Sequence, residues 1–190
     1  SFGKGMPAEW MIKMEKIECL KHELAAKGSI IDYYRDTVAL PNGNTPQWDV
    51  IEHKGAAAVV AVRGDGKILL VRQYRYVIGQ EILEIPAGGL NEGEPTKEAA
   101  ARELAEETGY SCGKIEFLMS VFTTVAFCKE KIDIYLAGDL KPGKQHLDEN
   151  EFINVEAYTV EELKQMIFDG VIQDGKTISA ILTYAAKFGK

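Results

Sequence analysis

The segment Gly88–Tyr110 reads GGLNEGEPTKEAAARELAEETGY and decides the fold around it. Residues Glu94–Thr108 carry a helical pattern: Pro95 suits a first helical position and Gly109 the position just past the last turn. The helix closes on Glu103, Glu106 and Glu107, whose i,i+3 and i,i+4 spacings crowd three acids along one edge. Like charges so placed repel by about 0.2–0.5 kcal/mol per pair. Anions at a helix C-terminus oppose its dipole by about 0.3–1 kcal/mol each. Arg102, four residues after Glu98 and four before Glu106, offsets part of this. The acids form either a solvated face or a group gathered to meet a cation. Ala99, Ala100, Ala101, Leu104 and Ala105 favour the second reading, because such small side chains suit a helix packed closely on a sheet. A hard divalent ion fits best: Mg²⁺ takes oxygen ligands, keeps several waters and bridges carboxylates to phosphate oxygens.

Upstream, Glu84-Ile85-Pro86-Ala87-Gly88-Gly89-Leu90 runs from a strand into a glycine-rich loop, where backbone can approach a neighbour closely. Ala56–Val62 is a continuous apolar run, as in a buried strand. Ile68–Val71, Ile82–Ile85, Ile115–Val121 and Lys131–Ala137 read as further strands. Val160–Phe168 and Thr177–Phe188 read as helices, each with its apolar residues on one face. Strands and helices mix without regular alternation, which predicts an α/β or α+β sandwich on a mixed sheet. Before Gly55 the chain reads as short strands, with Pro41-Asn42-Gly43-Asn44 as a hairpin turn and Gln47–His53 as the returning strand. Two domains are expected, a small β-domain over residues 6–54 and a main domain over 55–190. A ribbon as small as the first is marginal by itself and must lean on something.

Of the 190 residues 46% are apolar, enough for a real core, and no apolar run is long enough to cross a bilayer. Ser1–Lys21 carries charges throughout, so no secretory signal is expected. Lys and Arg number 22 against 29 Asp and Glu, a net charge of −7 that speaks against nucleic acid or an anionic membrane as partner. Cys19, Cys112 and Cys128 are widely spaced and match no zinc pattern, so reduced thiols in a cytoplasmic protein are expected.

Gly88, Glu94, Arg102, Glu103, Leu104, Glu106, Glu107, Gly109 and Tyr110 together fit the Nudix box: Gly, five residues, Glu, seven residues, Arg-Glu, an apolar residue, one residue, Glu-Glu, one residue, Gly, an apolar residue. From about residue 30 to 188 the chain resembles the ADP-ribose pyrophosphatase branch of the Nudix hydrolases. The segments that carry this are Leu40–Gly43, Val71–Tyr76, Glu84–Gly89 and Ile172–Thr177. The resemblance implies a Nudix α/β/α sandwich with a mixed sheet, a small N-terminal antiparallel β-domain and an intertwined homodimer. It implies Mg²⁺, with Mn²⁺ as a substitute, held by Glu103, Glu107, Glu106 and the Ala87 carbonyl. Arg102 and Glu106 would complete the catalytic set, Arg102 orienting the carboxylates. Arg75 would meet the substrate's phosphates or terminal ribose, with Arg72, Ala87 and Gly88 beside it. Glu130 matches the loop glutamate taken as general base. Tyr33, Tyr34 and Trp48 are candidates for stacking on adenine. One departure stands out: Val125 or Ala126 occupies the place of a loop proline common in this branch. Three activities follow from the resemblance: hydrolysis of ADP-ribose, hydrolysis of another nucleoside diphosphate sugar or dinucleotide, or sensing of ADP-ribose-like ligands without turnover. The intact set of acids speaks against the sensor, which has no need of so costly a cluster.

Overall fold

Hairpin chemistry shapes the start of the chain. In the computed structural model, which describes residues 16–189, strands β1 (Glu18–Lys27), β2 (Ile31–Ala39) and β3 (Gln47–His53) form a three-stranded sheet in that order. The turn after β2 is the expected one: Gly43 takes φ 85°, its N–H donates to the Leu40 carbonyl, and the Asn42 side chain accepts from the Asn44 N–H. This sheet buries little. All of β1 is exposed, and Asp36 and Val38 are the buried residues of β2. A polar clasp crosses it instead: His22 lies 2.6 Å from Asp36 and stacks on Tyr34 at 3.9 Å.

The chain divides into two compact units between Glu52 and His53. Residues 6–15 of the expected small domain lie outside the described residues. In the second unit the apolar run becomes β4 (Ala56–Val62), buried on both faces as its unbroken pattern requires. There follow β5 (Ile68–Arg75), β6 (Gln80–Glu84), β7 (Ala87–Gly89), α1 (Thr96–Thr108), β8 (Tyr110–Phe122), β9 (Lys131–Pro142), β10 (Ile153–Tyr158), α2 (Val160–Phe168) and α3 (Gly175–Phe188). The sheet runs β10-β5-β4-β9-β8, with β6 on β5 and β7 on β4. The β4–β9 pair is parallel and the other pairs are antiparallel, so the sheet is mixed. Alternate residues of β4 divide the core. Ala56, Ala58 and Val60 pack with Leu163 of α2 and Ala180 and Ile181 of α3. Ala57, Val59 and Ala61 pack with Ala99, Ala100 and Leu104 of α1. Helices therefore cover both faces, an α/β/α sandwich. Among the described residues no helix is long and apolar enough to cross a membrane.

Several boundaries differ from the sequence reading. Pro95 caps α1 in extended conformation (ψ 137°), so the helix begins at Thr96, two residues later than the expected Glu94. Strands β8 and β9 run well past the apolar stretches that announce them, because each is held by its partner's backbone. Neither β7 nor β10 was anticipated; β7 is three residues of a glycine-rich stretch, and β10 carries polar Asn154 and Glu156 at a sheet edge.

One feature of the sheet makes room for a site. Strands β4 and β5 pair only at Ala61–Leu69 and Val62–Ile68 and then part. β6 and β7 take up the freed edges, and the Ile85-Pro86 link passes between them. There the Pro86 carbonyl accepts from the Val59 N–H at 3.0 Å.

Candidate active site

The last turns of α1 lie against this link. The Ala87 N–H donates to Glu107 Oε2 at 3.0 Å. A Cβ on Gly88 would fall 2.0 Å from Glu103 Oε1, so glycine alone lets the carboxylate approach the backbone. Glu103 and Glu107 are buried, at 9% and 4% exposure. Burial pushes Glu107 up to about 8, against the pull of the Ala87 N–H, and the charges of Glu103, Glu151 and Glu84 push the same way. Burial also raises Glu103, although Arg102 opposes it.

Arg102 gathers the rest of the acids. Its Nη1 reaches Glu103 Oε1 at 2.6 Å and Glu106 Oε2 at 2.9 Å. Nε and Nη2 hold Glu94 at 2.8 and 2.9 Å, and Nη2 also meets the Gly89 carbonyl. The guanidinium is raised above its ordinary value, chiefly by Glu94, and Glu94 is lowered to about 2 by Arg102 and the Asn91 N–H. The helix end itself is well satisfied: the Gln145 side chain donates to the Glu107 carbonyl and the His146 N–H to that of Glu106.

A second cluster adjoins the first. Arg75 grips Glu84 with Nε at 2.6 Å and Nη2 at 2.9 Å. Lys176 also bonds Glu84, and reaches Asp174 at 3.0 Å. Burial would raise Glu84, but these two cations outweigh it and the carboxyl stays below its ordinary range. The Glu107 charge acts on Arg75, and that of Glu84 on Glu107, so the two clusters share one field.

The structure thus brings Glu103, Glu106, Glu107, Arg102, Ala87, Gly88 and Arg75 to one side of α1. It does not bring Arg72 there. Arg72 shares the strand phase of Ile68 and Leu70, whose side chains pack with α2 and α3, and its guanidinium is held by Glu156 at 2.5 and 3.2 Å. The two-residue period of β5 therefore separates Arg72 from Arg75. Glu130 stands just before β9, with Oε1 3.6 Å from His53 Nδ1. That nitrogen accepts the Gly55 N–H at 3.0 Å, so it has no proton to give Glu130. Among the described residues Glu130 makes no hydrogen bond to the acids of α1. Tyr33 is engaged with Asp49 at 2.6 Å and one face of Tyr34 is covered by His22. Glu84, Asp174, Lys176 and Thr177 have no role assigned from sequence, although the segments Glu84–Gly89 and Ile172–Thr177 carry the family resemblance and a polar Asp-Gly-Lys-Thr stretch heads an apolar helix.

Among the described residues no three His, Cys, Asp or Glu side chains stand together as a ready metal cage. The donor set nevertheless suits a hard cation. Two buried carboxylates with raised proton affinity face the backbone of β7, every donor is oxygen, and an ion that keeps its waters needs few protein ligands.

The model of the NUDIX domain matches residues 52–181. The chain is 39% identical over 173 residues to the methanol dehydrogenase activator of Bacillus methanolicus, covering 90% of this chain and 94% of that protein. It is 39% identical over 156 residues to the ADP-ribose pyrophosphatase of Bacillus subtilis strain 168, covering 81% and 84%. A crystal structure of an ADP compounds hydrolase superposes with TM-score 0.81 over 94% of this chain and all of that one; at 22% identity this likeness speaks for the fold. With Arg102, Glu103, Glu106 and Glu107 of the box gathered on one helix against the backbone of Ala87 and Gly88 in β7, the chain belongs to the Nudix family and is a Nudix pyrophosphohydrolase.

Proposed function

We propose that the chain hydrolyses the pyrophosphate bond of ADP-ribose, with Mg²⁺ or Mn²⁺, to AMP and ribose 5-phosphate. The observation that carries this is the pair of buried carboxylates, Glu103 and Glu107, set against the backbone of Ala87 and Gly88. Removing such charges from water is costly without a counter-ion. Glu103, Glu107 and the Ala87 carbonyl would hold the cation, with Glu106 beside them. Bound there, a divalent ion would neutralise the pyrophosphate and acidify a water. Arg102 keeps Glu103 and Glu106 in place through its fork. Arg75, oriented by its two bonds to Glu84, keeps Nη1 for a phosphate oxygen. Glu130 would take the proton of the attacking water or hold that water in line with phosphorus. Water adds across the bridge, one phosphate leaving with adenosine and the other with ribose.

The smaller unit is read as a dimerisation domain, since its sheet buries few residues of its own. The cysteines are free thiols, which supports a cytoplasmic setting. A second reading, activation of a dehydrogenase, rests on the Bacillus methanolicus relative, which matches at the same identity over more of the chain.

The test is AMP release with Mg²⁺ from ADP-ribose, ADP-glucose, NADH and diadenosine polyphosphates, with GMP release from GDP-mannose in parallel. A kcat/KM for ADP-ribose well above the rest upholds the proposal. A different winner places the specificity elsewhere. No turnover, together with faster turnover by an added methanol dehydrogenase, would favour the second reading.

A further inference from the structure

We propose that Thr177 and Lys176, at the head of α3, are positioning residues for the acids of α1, acting through residues 84–88. This rests on the hydrolase reading above. The Ile85 N–H donates to Thr177 Oγ1 at 2.9 Å across 92 residues of sequence. Thr177 Oγ1 in turn donates to Asp174 Oδ2 at 2.5 Å. The same Asp174 oxygen accepts the Thr177 N–H and Lys176 Nζ, each at 3.0 Å, and Lys176 also bonds Glu84. The latch is dry: Thr177 and Ile85 have no exposed surface, and Glu84 is 2% exposed.

The next residues along the chain touch the site. Pro86 is held by β4, the Ala87 N–H holds Glu107, and Gly88 lies under the Glu103 carboxylate. Successive residues are thus tied to α3, to β4 and to α1. Pro86 has no N–H, so Ile85 supplies the last backbone donor before Ala87. A buried Ile85 N–H without Thr177 would lack a partner, and the link would shift to find one. The clearance at Gly88 leaves little room for such a shift.

This arrangement is more than a helix cap. Asp174 caps α3 by accepting the Thr177 backbone N–H, and that bond needs neither the Thr177 hydroxyl nor the Lys176 ammonium. Both of those groups bond residues 84–85 as well.

The experiment compares Thr177→Val with Thr177→Ser, and Lys176→Met with Lys176→Arg, in the full chain. Four quantities are measured: kcat and KM for ADP-ribose, Mn²⁺ affinity by electron paramagnetic resonance, amide hydrogen exchange and Tm. In Thr177→Val, kcat and Mn²⁺ affinity each fall about 10- to 100-fold while KM changes little. The Ile85 and Ala87 amides exchange faster, and those of Ala100 and Leu104 in α1 do not. Thr177→Ser restores most of the loss. Lys176→Met moves kcat and Mn²⁺ affinity the same way, less far, and Lys176→Arg recovers part. Unchanged kcat and Mn²⁺ affinity in a Thr177→Val protein with lowered Tm would overturn the inference, leaving a structural cap. So would uniform acceleration of exchange across the second unit, or a folded Thr177→Ser protein as impaired as the valine variant. If the parent protein releases no AMP from ADP-ribose, the ADP-ribose reading fails by itself. Mn²⁺ affinity and the Ile85 and Ala87 amides then decide the positioning role.

Discussion

Arg102 and Arg75 each gather carboxylates, but the two gatherings differ in balance and in reach. Arg102 alone faces Glu94, Glu103 and Glu106, with Glu107 one turn beyond Glu103, so negative charge is left over. Around Arg75 two cations meet two anions, Glu84 and Asp174 against Arg75 and Lys176, and the account closes. The first cluster draws on residues 94–107, within and just ahead of one helix; the second spans about a hundred residues of sequence. An unbalanced cluster is poised to take up a cation, whereas a balanced buried one holds elements in register. Excess negative charge marks where a cation is taken up, and closed charge marks what holds the neighbouring backbone and Arg75 in place.

Four substitutions or titrations test that contrast. The largest effect belongs to the unbalanced cluster. Glu107→Gln lowers kcat by about a thousandfold, equivalent to about 4 kcal/mol of barrier, with the fold intact by circular dichroism. Full activity in that variant would remove Glu107 from the metal site. Next comes the balanced cluster, where Glu84→Gln strands two cations around a buried amide. Loss of one partner of a buried pair costs about 3 kcal/mol or more of stability, read in urea unfolding. A shift well under 1 kcal/mol would mean that water already screens Arg75 and Lys176. Third, Gly88→Ala drives a methyl into the Glu103 carboxylate and lowers kcat by about a hundredfold, the cost of moving a reacting group by roughly 1 Å. Activity near the parent level would show that Glu103 has room to retreat.

The gentlest effect is a pH dependence in metal-free protein. The folded state holds the Glu107 proton up to about 8, whereas the unfolded chain releases it near the ordinary glutamate value of about 4.3. Between those values the native state binds more protons, so stability falls as pH rises, by at most about 1.4 kcal/mol per pH unit. Glu94 works in the opposite sense. Held down to about 2, it stabilises above the ordinary carboxylate range, and that contribution is lost as pH falls towards 2. Glu107→Gln flattens the descent between pH 5 and 8 and leaves the acid limb unchanged. Parallel curves for parent and variant would count against a proton on Glu107.

Much of this was legible in the residues. The acids at i, i+3 and i+4, the proline before the helix and the glycine after it all act within a few residues of each other. Local rules therefore placed α1 within two residues and marked Glu103, Glu106 and Glu107 together. The apolar run of β4 announced a strand covered on both faces for the same reason. Arg72 went astray because it and Arg75 sit in one motif, and three residues along a strand reverse the side-chain direction. β7 escaped notice because three residues of Ala-Gly-Gly carry no strand pattern until the parting of β4 and β5 offers them an edge.

The sequence by itself determined that acids would line one helix, that the helix would lie on a sheet, and that the pattern belongs with the Nudix hydrolases, since each depends on neighbours a few positions apart. Only the tertiary structure decided that Glu103 and Glu107 are buried, that Gly88 must be glycine, and that Thr177 reaches Ile85. Burial, clearance and a hydrogen bond across 92 residues are properties of how distant segments pack, and no local pattern encodes them.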